Sequence, residues 1–267
     1  MSNVILLALF VSGELRAQPS APLSVTLEKT TISSGEPVLL RVSVKNTSYL
    51  PLEIDFGTNA EDDILISVID PDGKRHDKPP PPPPLGMTFF GWQHLDSGEE
   101  FSQVLVLNKW FDFKKTGEYH IDFQLKKPPT IGSQPVSIQI PTLILNVTAY
   151  NPETLASVCH QFTAAIKKQN TPKESLRAAT AERALSYIND PVAVPCWSQV
   201  LEYADGLAIS SLRKIGTLEA VTALTRALRL HNKETRSQAR LALRSLAQES
   251  SDPAVRAQAA RALNNPF

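Results

Sequence analysis

The sequence has no apolar run of the roughly 20 residues that a helix needs to span a bilayer, so we expect no internal transmembrane segment. It also lacks net charge, since 27 basic residues balance 27 acidic ones, and this argues against a general polyanion binder such as a nucleic-acid-binding protein. Only two cysteines are present. With 42% hydrophobic and 20% charged residues, the 267-residue chain can bury a core, as one large domain or two ordinary ones.

Motifs of known catalytic chemistry are missing as well. There is no G-x-S-x-G, H-E-x-x-H, C-x-x-C, Walker loop or G-x-G-x-x-G. The histidines are scattered, with no pair at metal-ligand spacing. Cys159 and His160 are adjacent on a predicted helix, where neighbours do not face each other. We therefore predict a protein that is not an enzyme and has no metal centre or cofactor.

Residues 1–17 have the form of a signal peptide. Residues 4–11 are an unbroken apolar run, and Ala17 is a small residue at the position expected for cleavage. Residues 1–3 lack the usual Lys or Arg, which leaves a mis-assigned start codon or a first strand as alternatives. We predict a mature chain that begins at residue 18 and is secreted or periplasmic.

Cys159 and Cys196 are candidates for a disulfide in such an oxidising compartment. The bridge would close a loop that the chain-entropy model values at roughly 4 kcal/mol. Two separate buried thiols are the alternative, and the sequence alone does not decide between them.

Residues 18–150 have the pattern of an antiparallel β domain. Segments rich in Val, Ile, Thr and aromatic residues alternate with Gly, Pro, Asn and Asp, and every second residue of 38–44 is apolar. The predicted strands are 24–29, 38–46, 52–56, 64–69, 87–90, 103–107, 118–126, 136–140 and 143–149. Many short strands without a convincing helix predict a β-sandwich.

The sequence at Gly117-Glu118-Tyr119 resembles the entry to a strand of immunoglobulin-like (Ig-like) sandwiches. In that family the tyrosine hydroxyl pins the preceding corner of the chain. Ser34-Gly35-Glu36-Pro37 is similar to the lead-in to an early strand of bacterial Ig-like modules. The Cys…Trp…Cys core of antibody domains is absent. The resemblance implies a fold, not an activity.

A helical half, residues 151–267, follows the predicted strands. Asn151 suits a helix N-cap, Pro152 the first helical position, and Glu153 the positive end of a helix. From there Ala, Leu and Arg dominate, and the apolar residues recur with helical spacing. We place the domain boundary at this point.

The helical half repeats itself. The motif A-x-x-x-L-x-x-[I/L] begins at Ala181, Ala208 and Ala239, and residues 252–263 fit the phrase D-P-x-V-R-x-x-A-A-x-A-L. These motifs resemble short-period, PBS-lyase-like HEAT repeats, as in exported bacterial HEAT repeat proteins, and the resemblance implies a protein-binding or scaffold role. The last motif follows Ala239 too closely for a full repeat, so it is either a truncated hairpin or a terminal cap.

Charge is distributed unevenly between the two halves. Residues 18–150 hold 11 basic and 16 acidic side chains (11 − 16 = −5), and residues 151–267 hold 15 and 10 (15 − 10 = +5). Such opposite charges fit either docking of the halves on each other or a divided binding surface.

Arg236, Arg240 and Arg244 recur at i, i+4 and i+8, so they form a stripe along one helix. We predict an edge that binds an acidic partner; a solvated helix face and a seam against the acidic half are the alternatives. Trp92 and Trp110 stand beside Phe residues, and such aromatic clusters either line a ligand groove or fill a core.

Residues 79–84 are consecutive prolines, which form a polyproline II rod. We interpret this rod as a stiff connector between strands, with a docking peptide as the alternative.

These observations predict an exported, non-catalytic protein-binding or scaffold module that acts through its repeat surface and sandwich loops. The predicted partner is a protein or a cell-envelope polymer, not nucleic acid. The alternative is a carbohydrate-binding or protease-inhibitor-like sandwich for which the helices are structural support.

Overall fold

The computed structural model describes residues 23–58, 60–82 and 90–264. The predicted signal peptide (1–17), the end of the proline run and most of the strand predicted at 87–90 lie outside the described residues. Within them, strands occupy the chain as far as residue 148, and helices follow from residue 152. This is the change of structure that was predicted at Asn151.

Twelve strands in the described residues form three sheets. They are β1 (Leu23–Leu27), β2 (Thr31–Ser33), β3 (Leu39–Lys45), β4 (Leu52–Thr58), β5 (Ile64–Ile69), β6 (Arg75–Asp77), β7 (Phe90–Leu95), β8 (Glu100–Val106), β9 (Gly117–Leu125), β10 (Thr130–Ile131), β11 (Gln134–Pro135) and β12 (Leu143–Thr148).

The sheet orders are β1-β3-β8, β11-β10-β4-β7 and β2-β12-β9-β5-β6. The pairs are antiparallel except β2 with β12, which run parallel. In β3, Leu40, Val42 and Val44 are buried while Arg41 is exposed, so the alternation predicted for this strand is confirmed. Side chains from all three sheets meet in one hydrophobic core.

One predicted strand is wrong. Residues 136–140 alternate between more and less buried positions but belong to no sheet. Pro135 and Pro141 flank the segment, and each lacks the N–H that a ladder needs. The alternation of apolar residues in this segment therefore reflects which side chains are buried, and it does not indicate that the segment pairs with another strand.

The buried Tyr119 holds the corner before β9, as its sequence context predicted. Its hydroxyl donates to the carbonyl oxygen of Lys115 at 3.0 Å, and its ring lies 5.2 Å from the ring of Phe113. Gly117 precedes it with φ +131°, where an added Cβ would lie 2.8 Å from Pro71 Cβ. A glycine is required here because the backbone angle and this close approach both exclude a side chain.

Seven α-helices follow in the described residues. They are α1 (Pro152–Ile166), α2 (Pro172–Leu185), α3 (Val194–Val200), α4 (Asp205–Ile215), α5 (Leu218–Ala227), α6 (Lys233–Glu249) and α7 (Pro253–Asn264). None of these helices combines the length and the apolar character needed to cross a bilayer.

The helices pack in a regular order. Contacts link α1 to α3, α3 to α5 and α5 to α7 in one row, and α4 to α6 beside it. The repeated motif places Ala181, Ala208 and Ala239 on α2, α4 and α6, where all three are buried. Residues 252–263 lie in or just before α7, which contacts both α6 and α5. The last motif therefore forms the second helix of a hairpin with α6.

The first helix joins the two halves. Asn151 caps α1 by accepting from the N–H groups of Glu153 and Thr154 at 3.0 Å, and its own N–H donates to Ser33 Oγ at 2.8 Å. One turn later, the buried Leu155 packs beside Gly35 of the turn between β2 and β3. The start of α1 thus packs against the turn between β2 and β3, and this contact holds the first helix against the strands.

Candidate functional site

The predicted arginine stripe divides into one structural residue and two exposed ones. Arg236 is half-buried, and its Nη1 donates to the carbonyl oxygens of Leu230 and His231, both at 2.7 Å. These carbonyls belong to the connection between α5 and α6. Arg236 therefore ties that connection to α6 through its Nη1.

Arg256 repeats this arrangement in the last hairpin. Its Nη1 donates to the carbonyl oxygens of Ser250 and Ser251 at 2.6 and 3.2 Å, in the connection between α6 and α7. Each arginine lies four residues after a capping residue: Arg236 follows Asn232, and Arg256 follows Asp252. The side chain of each capping residue accepts hydrogen bonds from N–H groups in the first turn of its helix. The shared spacing gives both arginines the same structural role.

Arg240 and Arg244 are exposed on α6. Within the described part of the chain, neither guanidinium has a hydrogen-bond or ion-pair partner. Leu241, between them, is 57% exposed. Because all three side chains reach solvent, this part of the stripe is not a seam against the β half.

The end of α4 extends this surface. Arg213 Nη1 lies 3.4 Å from the hydroxyl of Ser245 on α6, and Lys214 is exposed beside Arg213. We call this surface the basic face; it consists of Arg213, Lys214, Arg240, Leu241 and Arg244. It holds four cations and one exposed leucine.

Two acidic residues of the β half, Asp55 and Asp63, are paired internally. Lys127 lies 2.8 Å from Asp55 and 3.6 Å from Asp63, and Lys126 lies 2.9 Å from Asp63. The hydrogen bond from Lys127 holds the pKa of Asp55 below its usual value. These two carboxylates are therefore engaged within the β half.

A nearly buried carboxylate, Asp70, organises the turn between β5 and β6. It accepts from the N–H groups of Asp72 and Lys74 and from Lys115 Nζ, each at 3.0 Å. The Lys74 N–H lowers the pKa of Asp70 most, and with Lys115, His76 and Asp72 it brings that pKa to about 2. Across the described residues, no group of three or more His, Cys, Asp or Glu side chains is placed to hold a metal ion.

Trp92 lies on β7, the edge strand of its sheet, and is 51% exposed. It pairs with Asp55 of β4, and two residues later the exposed His94 pairs with Glu53, with Nδ1 3.6 Å from the Glu53 carboxylate. An exposed indole beside polar groups is an arrangement on which a sugar ring can stack.

Trp110 is placed differently. It packs partly buried against the core of the β half. Lys78 Nζ and Lys109 Nζ lie 4.9 and 5.1 Å from its ring centroid. The two lysines cover the ring through cation–π contacts, which help to hold Trp110 against the core.

The two cysteines lie together in the helical half. Cys159 on α1 and Cys196 on α3 are both buried and unbridged, and both belong to the core of the helical half. The interaction between the two thiols lowers the pKa of Cys196, and together with burial it raises the pKa of Cys159. His160 Nδ1 lies 3.7 Å from Cys196 Sγ. The spacing of adjacent helical residues excluded His160 as a partner of Cys159. It could not predict that His160 contacts Cys196 on another helix.

An open groove of about 820 Å³ runs between residues 122–125 and 136–141. Asp122 is the one carboxylate among its lining residues, and it accepts from the Thr142 hydroxyl at 2.6 Å. Most glycoside hydrolases use a pair of carboxylates, and the lining of this groove holds one.

No protein-family model matches the chain, and no curated protein matches it. Among solved structures, the chain is similar to β-glucosidase from Listeria innocua in complex with isofagomine and in complex with glucose, each at a TM-score of 0.28 and 13% identity. The similarity covers 49% of this chain and 16% of the β-glucosidase chain. At this TM-score it carries no argument about fold or activity.

Proposed function

We propose that the mature chain is an exported, non-catalytic module that binds an acidic surface of another protein through its basic face. The strands form an Ig-like sandwich and the helices form HEAT-like repeats in this proposal. The observation that carries it is the exposure of Arg240 and Arg244 without a partner among the described residues.

The composition of the basic face favours a protein partner. Arginine is enriched at binding hot spots, where its planar guanidinium pairs with a carboxylate through two hydrogen bonds. Leu241 supplies apolar area between Arg240 and Arg244, and such an apolar centre with a charged rim is typical of interfaces. In contrast, the lysines 126 and 127 of the β half are already engaged with Asp55 and Asp63.

The helical packing supports the HEAT-like assignment. Buried Ala and Leu of the repeated motif recur on α2, α4 and α6. The hydrogen bonds from Arg236 to the preceding helix connection recur at Arg256. Repeats of this kind stack into an extended surface with few contacts between distant parts. A surface that spans α4 and α6 is the type of site they offer a partner.

The test is capture of the partner by the full mature chain and by two double variants. Arg240→Ala/Arg244→Ala removes two cations from the basic face. Arg226→Ala/Arg261→Ala removes two exposed cations from α5 and α7, in the other row, and is the matched control. We expect the first variant to lose capture by at least about tenfold and the control to retain it, with equal melting temperatures. Equal capture by all three chains would remove the basic face from the proposal.

A second candidate function is carbohydrate binding by the β half, and the exposure of Trp92 favours it. Trp92→Ala removes the indole on which a sugar ring would stack, so it should abolish retention on immobilised cell-envelope glycan, while Trp92→Phe should keep part of it. Identical retention of Trp92→Ala and the unmodified chain would exclude this site.

A further inference from the structure

A pocket in the β half is not used by the proposed binding role. It has a volume of about 380 Å³ and lies between the β5–β6 hairpin and the segment 110–115, which precedes β9. The basic face lies on α4 and α6, so the pocket is separate from it. Sites that hold small molecules have volumes of roughly 300–1,000 Å³, and this pocket falls within that range.

The carboxylate of Asp70 lines the pocket but is saturated with hydrogen bonds. Its Oδ1 accepts from the N–H groups of Asp72 and Lys74, and its Oδ2 lies 3.0 Å from Lys115 Nζ and 3.4 Å from His76 Nε2. Hydrogen bonds to Asp72 and Asp70 in turn raise the pKa of Lys115, which keeps this lysine a cation. Asp70 therefore joins the two sides of the pocket and has no lone pair left for a ligand.

Three hydrogen bonds hold the segment 110–115 in place on its side of the pocket. The N–H of Phe111 donates to the carbonyl oxygen of Leu107 at 3.0 Å, and Ser34 Oγ donates to the carbonyl oxygen of Lys114 at 3.0 Å. The Tyr119 hydroxyl binds the next carbonyl along the chain. Since both sides are already fixed, a ligand that enters pays little for ordering the pocket.

The apolar surface of the pocket is mainly aromatic. Val68, Phe111 and Tyr119 line it as buried residues, and Trp110 lines it as a partly buried one. Three of these four side chains carry flat rings. The apolar part of a ligand that packs well against them is therefore also a flat ring.

The charge that remains available around the pocket is positive. Lys74 is exposed, and its ammonium has no hydrogen-bond or ion-pair partner among the residues that the structure describes. Lys114 pairs with Asp112 at 2.9 Å, but 82% and 65% of these side chains are exposed. An exposed pair of this kind contributes little, so its ammonium can turn to a ligand. Asp70 and Asp112 both have cationic partners already, and the group that the pocket lacks is an anion.

We propose that this pocket binds a small aromatic carboxylate. Its ring packs against Trp110 and Phe111, and its carboxylate accepts charge-assisted hydrogen bonds from Lys74 and Lys114. The ligand does not touch the basic face, so this proposal and the proposed binding of a protein partner can each fail alone.

The test is a titration of the nitrogen-15-labelled mature chain with phenylacetate, followed through the indole N–H signals of its three tryptophans. Trp110→Phe identifies the Trp110 signal. We expect this signal to shift and saturate with a dissociation constant on the order of 1 mM, while the signals of Trp92 and Trp197 stay in place. Phenylacetamide lacks the negative charge and acetate lacks the ring, so each should bind at least about tenfold more weakly.

Two lysine variants locate the carboxylate of the probe. Lys74→Met removes the ammonium but keeps the N–H that Asp70 accepts from, so we expect an equal melting temperature and at least about tenfold weaker binding of phenylacetate. Lys45→Met, at the end of β3 and outside the lining, is the matched control and should bind as the unmodified chain does. No saturating shift of the Trp110 signal, equal affinity for either matched probe, or unchanged affinity in Lys74→Met would overturn the proposal.

Discussion

Replacing Arg236 by alanine should destabilise the helical half, although Arg236 belongs to the same stripe as the binding residues Arg240 and Arg244. The substitution leaves the carbonyls of Leu230 and His231 without the guanidinium that both contact at 2.7 Å. A hydrogen bond from a charged group contributes roughly 1.5–3 kcal/mol, and partial exposure lets water replace part of it. We therefore expect a loss of about 1.5 kcal/mol in the free energy of unfolding.

The assay is thermal unfolding followed by the helical circular dichroism signal. A loss of about 1.5 kcal/mol should lower the melting temperature of the helical transition by roughly 5 °C. Arg256→Ala should give a loss of similar size because Arg256 caps the next connection in the same way. Arg240→Ala and Arg244→Ala, which remove exposed side chains, should each stay within about 0.5 kcal/mol of the unmodified chain.

One combination of results would refute this assignment. If Arg236→Ala unfolds at the temperature of the unmodified chain but loses partner capture, then its guanidinium is a contact residue and not a cap. The same conclusion would follow if Arg240→Ala destabilised the helices as much as Arg236→Ala.

Three further predictions concern the β half. Tyr119→Phe removes the hydroxyl that donates to Lys115 and should cost about 1 kcal/mol in urea unfolding, since it leaves a carbonyl without its partner; an unchanged urea midpoint would show that the hydrogen bond is not stabilising. Gly117→Ala should destabilise the same corner by more than Tyr119→Phe, because it adds strain at φ +131° and a contact with Pro71, and a higher urea midpoint would contradict this. Stability that depends on Asp70 should be fully present above about pH 4 and lost as the pH falls toward 2, because the folded pKa is about 2 and the unfolded value is 3.8. Urea midpoints across this range should therefore fall less steeply for Asp70→Asn, and parallel curves would exclude Asp70 as a source of the acid sensitivity.

Much of the secondary structure follows from local pattern. The buried alternation of β3 and the cap at Asn151 were predicted because both depend on residues close in sequence. The short strands β2, β6, β10 and β11 were missed because two or three residues form a strand only when a partner strand is nearby. The strand predicted at residues 136–140 was wrong for the converse reason, since the segment has alternating apolar residues but no partner strand.

The roles of individual site residues were harder to predict. Arg236 and Arg240 have the same helical spacing, but their distance from the helix start decides which one caps a connection. The repeat of that distance at Arg256 was present in the sequence as a signal. Contact between Cys196 and His160 had no such signal, because it arises from the packing of α1 on α3.

Site-specific photo-cross-linking is the most direct test of a binding surface on α4 and α6. A benzophenone amino acid placed at Leu241, in the middle of the basic face, should cross-link to the partner. The same group at Leu218 on α5, which is 39% exposed, should not. We expect one cross-linked species at Leu241, which disappears when Arg240 and Arg244 are also changed to alanine. Cross-linking from Leu218 and not from Leu241 would contradict a binding surface on α4 and α6.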